Sequence, residues 1–236
     1  MIKRLLILLL MVLISACSKE EPIISTKEDN SVDAVADPEL IAEHESDEIV
    51  DKFIEFPLPD EQVIINLKMV PILSEYLHAV QDQQQFIKNM RLIPINTEDN
   101  GMYLLEFSCA NELCSYILLN QNQDGPAYLV ADLAKYIHTI ISPDKDIILL
   151  QFNRETALPS PLTNIVAIDT IEWNLLSLHN EDYQHGILNY KWHFTSVNWV
   201  DNETISLSIP GFTNDPTSTS VELDAETTNI IMHINK

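Results

Sequence analysis

The chain has 236 residues, 36 acidic against 13 basic, with three cysteines and only four glycines. That length holds one or two domains and a sizeable core. A net charge of −23 argues against a nucleic-acid partner, which needs a lysine/arginine field, and Gly101, Gly125, Gly186 and Gly211 stand too far apart for a phosphate loop or a nucleophile elbow.

Lys3 and Arg4 precede an apolar run from Leu5 to Ile14, and small Ser15 and Ala16 follow. Charge, apolar stretch and small residues are the layout of an export signal, here residues 1–16. The run is too short for a stable span, which needs roughly 20 apolar residues. An uncut short anchor is the alternative. The tetrad Ile14-Ser15-Ala16-Cys17 resembles the lipobox of bacterial lipoproteins. The resemblance implies that the Cys17 thiol receives a diacylglycerol and that the chain is cut just before it. Two acyl chains anchor a protein stably where one does not. The cut removes two basic residues and no acid, so the remaining surface is repelled by anionic headgroups. The expected partner at this end is therefore the membrane, through the lipid, on the outer face of the bacterial cell.

Residues 17–55 are expected to be a lipidated acidic tether. Residues 18–55 hold 13 acids, three lysines and no aromatic before Phe53, too little apolar surface to offset ordering entropy. A stalk is the plain reading, and a partner-binding acidic segment the alternative. Within it, Asp37 to Val50 is predicted as a short helix.

Residues 56–94 carry a strand over Gln62–Leu67 and then one substantial helix. Pro71 suits the first helical position. Met69, Ile72, Leu73, Tyr76, Leu77, Val80, Ile87 and Met90 fall on one face at helical spacing. Such a stripe reads as core rather than as a groove for a partner helix.

From residue 95 to 236 the pattern is that of strands. Predicted runs are Met102–Ser108, Ser115–Asn120, Ala127–Leu133, Tyr136–Ile141, Ile147–Phe152, Asn164–Asp169, Leu175–Leu178, Tyr190–Trp199, Thr204–Ile209, Thr219–Leu223 and Ile230–Ile234. Turn clusters separate several of them. Alternation, with Tyr190, Trp192 and Phe194 on one side, implies antiparallel sheet with one wet face. Four residues between Cys109 and Cys114 suit a hairpin loop, which sets the two opposite each other at bridging distance. A disulfide is predicted. A redox or metal pair is the weaker rival, since no second pair or nearby histidine accompanies it.

The stretch from Ser142-Pro143-Asp144 through Asp169 to Leu178 lines up with that from Trp199 through Asp224 to His233. This repeat resembles blades of TolB-like or WD-like β-propellers. A propeller needs about four blades to close and the segment holds two or three, so a closed ring is not expected. The fold class is mainly β with one substantial helix (α+β), built as an antiparallel meander, blade-like repeats or a two-layer sandwich.

Candidate chemistry is thin. His179, His185 and His193 lie within fifteen residues, beside Glu181 and Asp182, a set that can hold zinc. Their spacing matches no metal motif, so structural or solvated histidines are the preferred reading. Asp144/Asp146 and Asp201/Glu203 sit in predicted turns, where aspartate usually bonds its own backbone rather than calcium. Trp173, Trp192 and Trp199 are read as core before they are read as a stacking face. No catalytic residue, metal ligand or cofactor is assigned. The expected function is a non-enzymatic, membrane-anchored module that binds a protein or an envelope component. An envelope hydrolase using acidic residues or a histidine-bound metal is one alternative, and a structural or assembly lipoprotein the other.

Overall fold

A computed structural model describes residues 23–27, 37–43, 51–95, 101–122, 125–155, 161–180, 188–212 and 223–235. Strands make up 61% of it, which places the chain in the mainly β, α+β class. All strand pairs are antiparallel. Among the described residues no helix is long and apolar enough to cross a membrane.

The first sheet has four strands: β1 (Ile24–Lys27), β2 (Glu39–Glu43), β3 (Asp51–Pro57) and β4 (Gln62–Asn66), in the order β1-β4-β3-β2. The free-tether expectation is corrected here, because three of these strands lie in the acidic segment. Its charge hides short apolar pairs. Ile23, Ile24 and Ile54 are buried, and Leu40 packs against the same cluster. Asn66 N–H donates to the Ile23 carbonyl at 2.9 Å, and Gln121 Nε2 donates to Thr26 Oγ1 at 2.7 Å. The helix expected over 37–50 is likewise corrected: residues 39–43 form edge strand β2 on β3, since pairing overrides a weak local preference. Residues 44–50 lie outside the described residues.

A 3₁₀ turn (Leu67–Met69) leads into α1 (Pro71–Ala79), with Pro71 in its first turn as expected. The helical stripe is then broken. Val80 is extended, and a second helix, α2 (Gln83–Lys88), starts where Asp82 accepts from Gln85 N–H at 3.0 Å. A side-chain cap satisfies an orphan donor and restarts the helix at a new angle. Leu73, Leu77 and Ile87 bury one face, and the Tyr76 ring meets Phe107 edge-on at 5.3 Å.

The second sheet has ten strands. They are β5 (Arg91–Ile95), β6 (Met102–Ala110), β7 (Leu113–Asn120), β8 (Tyr128–Ile141), β9 (Ile147–Arg154), β10 (Leu162–Asp169), β11 (Asn174–His179), β12 (Ser196–Trp199), β13 (Thr204–Phe212) and β14 (Leu223–Asn235). Their order is β12-β13-β14-β11-β10-β9-β8-β7-β6-β5, so β5 to β11 form a meander. Among the described residues no sheet closes on itself.

Two strands, β8 and β11, change partner along their length and so turn this sheet from one core to the next. Strand β8 joins the two runs predicted on either side of Leu133. Its first half pairs with β7 and its second with β9, with shifts of register along it. Leu133 takes φ +45°, and the Arg154 guanidinium donates to the Leu133 and Asp132 carbonyls at 3.1 and 2.6 Å. Those bonds serve carbonyls that an irregular ladder leaves without a strand partner. Strand β11 splits in the same way, with 174–176 on β10 and 177–179 on β14.

Both faces of the central strands are consequently buried. On β6 and β7, Tyr103, Leu105, Phe107, Ile117 and Leu119 join Phe56, Ile65 and Leu73 in a first core. Leu104, Tyr116 and Leu118 join Leu150, Phe152 and Trp173 in a second. The rings of Tyr116 and Phe152 approach to 5.2 Å although β8 lies between their strands, which requires the sheet to curl. Leu149, Ile165 and Ala167 face a third core with Leu207 and Met232.

Tyr190–Trp199 is not one strand. Asn189 and Tyr190 have positive φ, Trp192 makes an isolated bridge to Thr163, and only Ser196–Trp199 pairs with β13. Tyr190 packs on the second core, whereas Trp192 and Phe194 belong to the third. The proposed repeat also diverges. Asp169 turns the chain, whereas Asp224 lies inside β14 opposite Gly211. Its 213–222 part lies outside the described residues.

Candidate functional site: a cross-strand histidine cleft

The site residues foreseen from the sequence scatter. Cys17 and His185 lie outside the described residues. Cys109 and Cys114 close the β6–β7 hairpin, Sγ bonded to Sγ with Cα atoms 4.0 Å apart. Asn111 and Glu112 both take positive φ at its two-residue tip, the backbone of a tight primed turn. Glu106 lies beside this pair, but bonded sulfurs offer no thiolate for a metal.

His193 Nδ1 contacts the Pro161 carbonyl at 2.9 Å. Trp173 is buried, donating Nε1–H to the Pro126 carbonyl at 2.9 Å, while Trp192 and Trp199 pack against the third core. The turn aspartates serve their own turns. Asp144 accepts from Ser142 Oγ at 2.6 Å, Asp169 accepts from two backbone N–H groups at 2.9 Å, and Asp201 accepts from Glu203 N–H at 2.9 Å.

What the sequence did not foretell is the partner of His179. In the β11–β14 ladder His179 stands directly opposite His233, and His233 stands opposite Thr204 of β13. The two imidazoles lie 5.7 Å apart, tilted by 45°. Around them is an open cleft of about 540 Å³, lined also by Asp201, Glu203, Thr204 and Asn235. The 201–203 turn is held against β14 by Ile234 N–H donating to the Glu203 carbonyl at 2.8 Å. The Asn180 side chain donates to the Ile231 carbonyl and fixes the end of β11 on the same strand. Fifty-four positions separate the two histidines, so no local spacing announces them. Their alternation on the wet face of each strand is the signal, legible only once the strands are paired.

A polar chain runs through the cleft. Glu203 N–H, first, and the Thr204 hydroxyl, second, donate to Asp201 and hold its carboxyl below the ordinary carboxylate range, with His233 adding to the effect. Thr204 Oγ1 lies 3.4 Å from His233 Nδ1. Two carboxylates and two imidazoles at one sheet end make an electron-rich, cation-seeking surface.

No protein-family model matches the sequence, and no curated protein matches it. Among solved structures, the chain is similar to an α-L-arabinofuranosidase from Podospora anserina in complex with cellotriose, at 11% identity and a TM-score of 0.26. That match covers 79% of this chain and 66% of the other. So low a score carries no functional argument.

Proposed function

We propose that the chain is an exported lipoprotein, fastened through Cys17 to the outer face of a bacterial membrane, whose β-rich body is a non-enzymatic module that binds a protein or envelope component. The observation that carries this reading is the tetrad Ile14-Ser15-Ala16-Cys17 directly after an apolar run with a basic start. The burial of Ile23 gives the reading a definite geometry. Five residues separate it from Cys17, and the six steps of chain reach at most about 20 Å when extended. A lipid on Cys17 then keeps the first sheet close to the headgroups instead of at the end of a long stalk. The predicted disulfide suits the same oxidising compartment.

The test is Cys17→Ala in a bacterial host that processes lipoproteins. The parent chain is expected in the membrane fraction, with an acylated N-terminal peptide by mass spectrometry. The variant is expected as uncut, unacylated precursor. Identical processing of parent and variant would defeat the proposal.

A further inference from the structure

The histidine pair has the features of a ligand set rather than of two solvated side chains. Antiparallel register puts His179 and His233 opposite each other on one face, on strands tied together by backbone bonds. Their rings lie 5.7 Å apart, so a single ion between them needs only side-chain rotation. Thr204 Oγ1, 3.4 Å from His233 Nδ1, puts an oxygen beside one ring nitrogen, the kind of outer partner that metal-bound histidines generally have. Asp201 and Glu203 line the same cleft and add negative charge. Imidazole and carboxylate together suit late first-row divalent ions over magnesium or calcium, which prefer all-oxygen shells.

We propose that the end of β11 and β14 is a surface site for one late first-row divalent cation. His179 and His233 are its nitrogen ligands, the Asp201 and Glu203 carboxylates lend negative charge from the cleft wall, and water completes the shell. Thr204 is a positioning residue that acts through His233. The site does not depend on the lipid anchor, so the two proposals fail separately.

The test uses the full chain, purified in detergent without a polyhistidine tag and stripped of metal by a chelator. Zn²⁺ titration followed by calorimetry is expected to show one saturable site per chain. His179→Ala and His233→Ala each abolish that saturable step. Thr204→Val weakens it by about tenfold or more, as loss of an outer-shell partner does elsewhere. His193→Ala, at a histidine away from the cleft, leaves it unchanged. Both cleft histidines are exposed, so their variants are expected to fold, which circular dichroism checks. Folded single variants that bind Zn²⁺ like the parent, or a parent with no saturable step, would overturn the proposal. Thr204→Val with unaltered affinity would remove the positioning role alone.

Discussion

Gly125 shows how much a single residue settles here. A Cβ at this position would meet Trp173 Cδ1 at 2.1 Å. The indole has no room to yield, because it is buried, its Nε1–H is spent on Pro126, and the Tyr128 hydroxyl donates to the Trp173 carbonyl at 2.8 Å. Gly125→Ala is therefore expected to cost about 1–3 kcal/mol, the range for overpacking, read as a lower urea midpoint at unchanged slope. A variant as stable as the parent would show that the 125–127 segment does not press on Trp173. The sequence placed Gly125 between two expected strands and read Trp173 as core. It could not say that one exists to admit the other, because they meet only through the curl of the sheet.

At the scale of elements, the acidic segment is the instructive case. Its average composition reads as unfolded chain, yet the described parts supply three of the four strands in the first sheet. Ordering entropy is offset locally, by Ile23, Ile24 and Ile54 inserting beside Phe56 and Ile65, rather than by the segment as a whole. A chain beginning at Asp51 therefore loses both edge strands. Removing two or three buried aliphatic side chains is expected to cost about 3–9 kcal/mol, at about 1.5–3 each for burial and more where a cavity remains. The check is thermal unfolding of the shortened chain beside the parent. Equal midpoints would restore the tether reading and also remove the short reach from Cys17 to the fold. Helix α1 and most strands from β6 onward were legible, because period 3.6 and period 2 are local properties. The break at Val80, the merger of two runs into β8 and the short β12 were not. Each depends on a cap, a register shift or a positive φ that neighbours impose.

For the whole molecule, burial on both faces of the central strands makes polar groups inside the cores sensitive to pH. Burial, first, and the nearby Glu106 carboxylate raise the Tyr116 hydroxyl to about 12, against an opposing backbone bond from Tyr136. Burial, first, and a 2.9 Å hydrogen bond to Glu61 raise Tyr103 further, and burial raises Tyr190. These residues sit in or against the first and second cores. An unfolded tyrosine ionises near 10, so the folded state holds its phenolic protons more tightly. Their stabilising share is full below about pH 10 and is lost as pH rises through the raised values. Stability is thus expected to fall from about pH 10 upward, and Tyr116→Phe to flatten part of that fall, followed by urea unfolding against pH. An unchanged alkaline slope would mean that Tyr116 ionises as it does in water.

The sequence by itself determined what is local in cause: a leader-like start with a cysteine after it, an acidic surface, strands of alternating pattern, a proline-led helix and a hairpin spacing between two cysteines. Tertiary structure alone decided which strands became neighbours. That choice buried Ile23 in the first core, curled one meander into stacked cores and set His179 opposite His233. Register is the physical reason: it is fixed by the sum of contacts across a sheet, and a residue's partner on the next strand leaves no trace in its own neighbourhood.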